Sequence, residues 1–112
     1  MSDCIFCKIA NKEINSEIIY ENDSVIAFKD LEPKAKIHFL IIPKKHYATI
    51  LDVDNPETMQ DIFKAVREIA KKYDIEEDGF RIINNCKENG GQEVMHLHFH
   101  LLGGEKLNTN II

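Results

Sequence analysis

In Met95-His96-Leu97-His98-Phe99-His100-Leu101-Leu102, hydrocarbon and imidazole alternate from Met95 to Leu101. Successive side chains of an extended strand point to opposite faces. The run therefore predicts a strand, Val94 to Leu102, with Leu97, Phe99 and Leu101 on a core face and His96, His98 and His100 on the other. Gly103-Gly104 ends it. Upstream, the polar stretch Lys87-Glu88-Asn89-Gly90-Gly91-Gln92 reads as a loop, and Gly79 opens a preceding strand, Phe80 to Asn85.

Further out, Asn55 suits a helix cap and Pro56 the first helical position, where a missing N–H costs nothing. Met59, Ile62, Phe63, Val66, Ile69, Ala70 and Tyr73 then recur at spacings of three and four, the stripe of an amphipathic helix. Ile37 to Ile42 reads as a strand stopped by Pro43, which cannot donate to a ladder. Glu17 to Tyr20 and Ser24 to Lys29 are β-rich and flank the turn-forming Asn22-Asp23, as in a hairpin. Cys4 to Asn11 has room for one or two helical turns. The order β-β-β-α-β-β with short connections predicts an α+β domain spanning residues 1–112. It has a five-stranded antiparallel sheet, one long helix and a short N-terminal helix.

A chain of 112 residues suffices for one domain with a modest core, which a dimer or a structural metal would help to stabilise. A formal net charge of −5 leaves no basic stripe for a nucleic-acid polymer, and Lys44-Lys45 is too short to supply one. No apolar run approaches the ~20 residues that cross a bilayer. Met1-Ser2-Asp3-Cys4 does not open a basic-then-apolar leader. The expectation is a cytoplasmic protein with no membrane partner, whose three cysteines stay reduced as thiols or metal ligands.

Three imidazoles in a row give up packing area, and a plain solvent face explains them poorly. Two chemical readings compete: a three-histidine metal site, and histidine chemistry on phosphate. Residues two apart on a strand are separated by ~6.6 Å, so the outer histidines stand ~13 Å apart and do not easily share one small ion. Neutral imidazole is a good nucleophile towards phosphorus, and its ordinary pKa of ~6.5 leaves it mostly unprotonated at neutral pH. His98, with a histidine on each side, is the natural nucleophile. Gly90-Gly91 lets backbone N–H groups approach an anion, and Asn85 can add a side-chain donor. Cys4-Ile5-Phe6-Cys7 has the gap that lets two sulfurs meet one metal. The other readings of that pair are a redox Cys-x-x-Cys, which usually follows a strand, and unliganded thiols.

The run His96 to Leu102 resembles the signature of the histidine triad superfamily. Phe28-Lys29-Asp30-Leu31, His38 to His46, Gly90-Gly91-Gln92 and Leu102-Gly103-Gly104 stand in the order and spacing of its Hint branch. The likeness runs from Cys4 to Gly104. The resemblance implies a HIT-like fold whose sheet continues across a homodimer, and purine nucleoside phosphoramidase activity releasing AMP or GMP. By it, His98 attacks the α-phosphorus and forms a nucleotidyl-histidine, and His100 contacts the phosphate and assists the leaving group. His38 supports the nucleophile's side, and the His96 carbonyl fixes the His98 tautomer. Asp30 takes the ribose hydroxyls; Phe6, Ile9, Phe28 and Leu31 form the base slot; Asn85, Gly91, Gln92 and position 93 lie at the phosphate. Cys4, Cys7, His46 and His96 match positions that hold one structural zinc per chain, and catalysis needs no cofactor. Where many members carry a small hydroxyl residue this chain has Glu93, whose carboxylate beside a phosphate costs roughly 1–4 kcal/mol at ~4 Å unless it turns outward. The readings set against this one are a nucleotide-binding scaffold or sensor with little turnover, and a dinucleoside polyphosphate hydrolase.

Overall fold

A computed structural model describes residues 3–110. Met1, Ser2, Ile111 and Ile112, at the two ends of the expected domain, lie outside the described residues. Helix α1 is Ile5–Ala10 and α2 is Pro56–Lys72; the strands are β1 Ile18–Glu21, β2 Val25–Lys29, β3 Ile37–Pro43, β4 Arg81–Ile83 and β5 Phe99–Gly103. They form one five-stranded sheet of order β1-β2-β3-β5-β4, antiparallel at every step. No helix among the described residues is long and apolar enough to cross a membrane.

Sequence parity sorts the molecule. Val25, Ala27, Phe39, Ile41, Leu97, Phe99 and Leu101 point to one side and pack with Ile62, Ala65, Val66, Ile69 and Ala70 of α2 in the larger core. Ile26, Phe28, Leu40 and Ile42 point to the other and pack with Phe6, Ile9 and Ala10 of α1. His38, His96, His98 and His100 share the even parity of this second side. The period-2 pleat thus gives one face to the core and its reverse to α1 and the histidines.

Helix α2 starts as its sequence dictates: Asn55 Oδ1 accepts from Thr58 N at 2.9 Å, and Pro56 takes the first turn. Phe63 departs from the expected stripe and is 60% exposed. At 100° per residue it stands roughly 90° from the middle of the buried set, on the helix flank.

The histidine strand is shorter than its alternation suggests, for β5 begins at Phe99 rather than Val94. The β3–β5 register, Ile41 opposite Phe99, would set Leu97 against Pro43. Pro43 has no N–H, and its carbonyl already accepts from His96 Nε2 at 2.8 Å. The ladder stops there, and Leu97 N donates to Tyr47 O instead, at 2.7 Å. Likewise β4 covers only Arg81–Ile83 of the expected Phe80 to Asn85. Beyond it, Asn84 reaches the His98 carbonyl through its side chain, Nδ2 to O 2.9 Å.

Candidate active site and metal centre

A cavity of about 500 Å³ opens on the α1 side of the sheet, lined by Phe6, Asp30, Lys34, His38, Asn85, Gly91, Glu93, His98 and His100 among others. It adjoins a smaller apolar cavity of about 230 Å³ whose walls include Phe6, Ile9, Phe28, Leu31 and Leu40. Phe6, Asp30 and Leu40 line both. The four residues expected in a base slot therefore surround one space. Phe6, Ile9 and Phe28 are also core, while Leu31 is 93% exposed at the edge.

Hydrogen bonds fix the ring tautomers. His98 Nδ1 donates to the His96 carbonyl at 2.8 Å, which leaves Nε2 with a free lone pair. Phe6 stands edge-on to the same ring, centroids 5.2 Å apart at 84°. Lys34 N donates to His38 Nδ1 at 3.0 Å, so the His38 proton is on Nε2, from which it points to His100 Nδ1 at 2.9 Å and to Asp30 Oδ2 at 3.4 Å. With Nδ1 accepting, His100 carries its own proton on Nε2. His38 thus braces His100 and not the nucleophile's side, where the resemblance put it. This follows from β3, which puts His38 opposite Leu102 and Leu40 opposite His100.

The same burial keeps these rings neutral. His100 is pushed down to about 4, first by burial and then by the neighbouring His98 and His38. Burial also lowers His98, opposed by its bond to the His96 carbonyl and by the charges of Asp30 and Glu93. His38 is lowered by burial, with Asp30 pulling the other way. The arrangement can offer phosphorus an unprotonated Nε2 at His98 and an N–H donor at His100.

The turn before β5 is held from inside. Gln92 Oε1 accepts from Lys87 N at 2.8 Å, and its Nε2 donates to Ala48 O at 2.7 Å and Val94 O at 3.0 Å. The Gln92 side chain is therefore buried in the loop and does not line the cavity, unlike its expected nucleotide-contacting partners Gly91 and Glu93. Gly91 adopts φ +79, a left-handed turn open to glycine. Asn85 lines the cavity and donates to Gly90 O at 2.7 Å. Sequence reading missed Asn84 and Lys34. Asn84 is indistinguishable from Asn85 until the end of β4 is known, and Lys34 acts through its backbone N–H, which leaves no signature.

Behind the triad, Cys4, Cys7, His46 and His96 bring their Sγ and Nδ1 atoms within 4.8 Å of one another. Neighbouring ligand atoms are 3.2 Å apart for His46–His96, 3.3 Å for Cys4–His96 and for Cys7–His46, and 3.5 Å for Cys7–His96. A tetrahedral ion with Zn–S ≈ 2.3 Å and Zn–N ≈ 2.0 Å requires edges of roughly 3.3–3.6 Å between its nitrogen and sulfur ligands. Because His96 Nε2 donates to Pro43 O, its Nδ1 lone pair faces the group, as ligation needs. The four residues fit a divalent metal. Burial, followed by the adjoining Cys4, pushes the Cys7 thiol up to about 11. Asp30, His38 and His100 also cluster, but their 2.9 Å nitrogen contact is a hydrogen-bond distance, shorter than a metal-site edge.

The model for the HIT domain matches residues 11–107. The chain belongs to the HIT family. It is 43% identical over 107 residues to the purine nucleoside phosphoramidase of Escherichia coli (strain K12), covering 94% of this chain and 90% of that one. A histidine triad protein from Clostridium difficile has the same fold at TM-score 0.93 and 49% identity, over 99% of this chain and 98% of the other. A HIT family hydrolase from Legionella pneumophila follows at TM-score 0.92 and 42% identity, over 96% and 98%. The functional names among these relatives are a purine nucleoside phosphoramidase and a HIT family hydrolase.

Proposed function

We propose that this HIT protein is a purine nucleoside phosphoramidase that works through a nucleotidyl-histidine at His98. The observation that carries the reading is the His98 ring, whose Nδ1 is committed to the His96 carbonyl so that Nε2 faces the cavity. The bound substrate lays its base in the apolar slot of Phe6, Ile9, Phe28 and Leu31, with Asp30 accepting from the ribose hydroxyls. The glycine turn, Asn85 and His100 receive the phosphate. A bond forms between His98 Nε2 and phosphorus as the P–N bond breaks, and the departing nitrogen takes a proton on the His100 side to leave as an amine. Water then attacks the phosphorus, its proton returns to the His100 side, and the nucleotide departs with His98 restored. The net change is addition of water across the P–N bond, and no metal takes part.

We assign Cys4, Cys7, His46 and His96 to one structural zinc. Four protein ligands leave no open position for substrate, so the ion would tie α1 to the loop after β3 and to the triad segment. We also propose a homodimer that continues the sheet; β4 is an edge strand on which Ile82 is exposed. Light scattering at micromolar concentration should return twice the chain mass.

The test of the activity is His98→Ala. Release of AMP from adenosine 5′-phosphoramidate should fall at least about a thousandfold, with circular dichroism and melting temperature kept. Turnover within a few-fold of wild type would refute the mechanism. Release of AMP from a diadenosine polyphosphate at a higher kcat/KM than from the phosphoramidate would refute the substrate class.

A further inference from the structure

Helix α1 carries two kinds of residue side by side. Cys4, its cap, and Cys7 belong to the Cys/His group, while Phe6 and Ile9 are walls of the apolar slot. Phe6 stands edge-on to Phe28, centroids 5.4 Å apart at 68°, so the slot is shaped by where α1 sits against β2. Six residues are too few to sustain a helix alone, and the place of α1 depends on what it docks against.

Among the described residues, the backbone bonds at the end of α1 stay local: Asn11 N to Cys7 O at 2.9 Å, Lys12 N to Ile9 O at 3.1 Å and Glu13 N to Lys8 O at 2.8 Å. Two kinds of polar link lead from this segment to the rest of the molecule. One is the set of sulfur–imidazole contacts with His46 and His96. The other is an exposed ion pair, Lys12 Nζ to Glu21 Oε1 at 2.9 Å, which contributes little. Beyond these, Phe6, Ile9 and Ala10 pack on Ile26, Phe28, Leu40 and Ile42.

The triad segment is anchored differently. His96 Nε2 donates to Pro43 O at 2.8 Å, Leu97 N donates to Tyr47 O at 2.7 Å, and from Phe99 the chain pairs with β3 and from His100 with β4 as well. Gln92 and Asn85 hold the glycine turn through their own bonds. An ion held by Cys4, Cys7, His46 and His96 would therefore matter unequally to the two halves of the nucleotide site. To the histidines and the turn it adds one anchor to several. To the α1 wall of the slot it is the principal polar anchor.

We propose that Cys4 and Cys7 are positioning residues for the nucleobase: through the metal shared with His46 and His96 they set Phe6 and Ile9 against the base, so that metal and nucleoside each tighten the binding of the other. This rests on the nucleotide reading and the metal assignment above, and goes beyond a metal that only stabilises the fold.

Wild type loaded with one zinc per chain is compared with wild type stripped by a chelator. Each is titrated calorimetrically with AMP and with ribose 5-phosphate, which lacks the base. On stripping, the AMP Kd should rise about tenfold, while that of ribose 5-phosphate should stay within about twofold. Linkage requires the reverse effect. In competition with a chromophoric chelator, adenosine, which has no phosphate to bind zinc itself, should tighten zinc by a factor that levels off near the same value. An equal loss of AMP and ribose 5-phosphate affinity overturns the positioning role. So does a zinc affinity that keeps rising in proportion to adenosine, since the ion then holds the whole chain together. An unchanged AMP Kd overturns it as well and leaves the phosphoramidase reading standing. Failure of wild type to take up zinc overturns it together with the metal assignment, and failure of the loaded protein to bind AMP overturns it together with the nucleotide reading.

Discussion

The carboxamide of Gln92 makes three hydrogen bonds inside its own loop, and one of them holds the N–H of Lys87. Lys87 sits at φ 61, ψ −169, a region that glycine adopts and other residues enter only under constraint. Gln92→Ala removes that constraint and strips partners from buried groups, a loss of about 1–3 kcal/mol. We expect a lower melting temperature and about a tenfold loss in kcat/KM as the phosphate turn relaxes, checked by calorimetry and steady-state kinetics. The histidines give a pH signature at the same scale. Folded His100 titrates at about 4 against an ordinary 6.5, so between those values the unfolded chain binds more protons. Its contribution to stability is complete above pH 6.5 and is lost as the pH falls towards 4. Melting temperature should therefore drop from pH 7 to pH 5, and His100→Asn should flatten part of that slope, with His38 keeping another part. Alternation made the shared face of His96, His98 and His100 legible in the sequence. The bracing of His100 by His38 was not, because it depends on the β3–β5 register, which no local pattern encodes.

Among the elements, α2 was the most legible, since cap, proline and most of the stripe agree along Asn55 to Tyr73, with Phe63 off the buried line. Asn55→Ala should cost about 1 kcal/mol through the lost bond to Thr58 N. Ile69→Ala, on the fully buried line, should cost about 2–5 kcal/mol. Urea unfolding should rank them in that order. The strands were harder to delimit. Their existence follows from β-rich runs and turn residues, but the ends of β4 and β5 are set by partners distant in sequence. Pro43 ends the ladder before Leu97, and Asn84 replaces a backbone bond to His98 with one from its side chain. Along the segment before β5, His96 meets Cys4 and Cys7 while His98, two residues on, lines the cavity.

Across the whole molecule, the sheet separates a core that stabilises from a face that carries the site, and the Cys/His group ties α1 to that face. His96 belongs to both sites, with its ring in the Cys/His group and its carbonyl on His98. Purified protein should carry one zinc per chain by elemental analysis. Cys4→Ser/Cys7→Ser should bind none and melt about 10 °C lower, since metal binding energy is folding energy for a small domain. A double variant as stable as wild type, or a wild type free of metal after growth with zinc, would contradict the structural assignment.

The proposed chemistry predicts one point of attachment for the nucleotide, the His98 ring. Protein mixed briefly with adenosine 5′-phosphoramidate, quenched in base to preserve a phosphorus–nitrogen bond, and mapped by peptide mass spectrometry should carry AMP on the imidazole of His98. A nucleotide found on His38 or His100, or steady turnover with no adduct at any histidine, would contradict it.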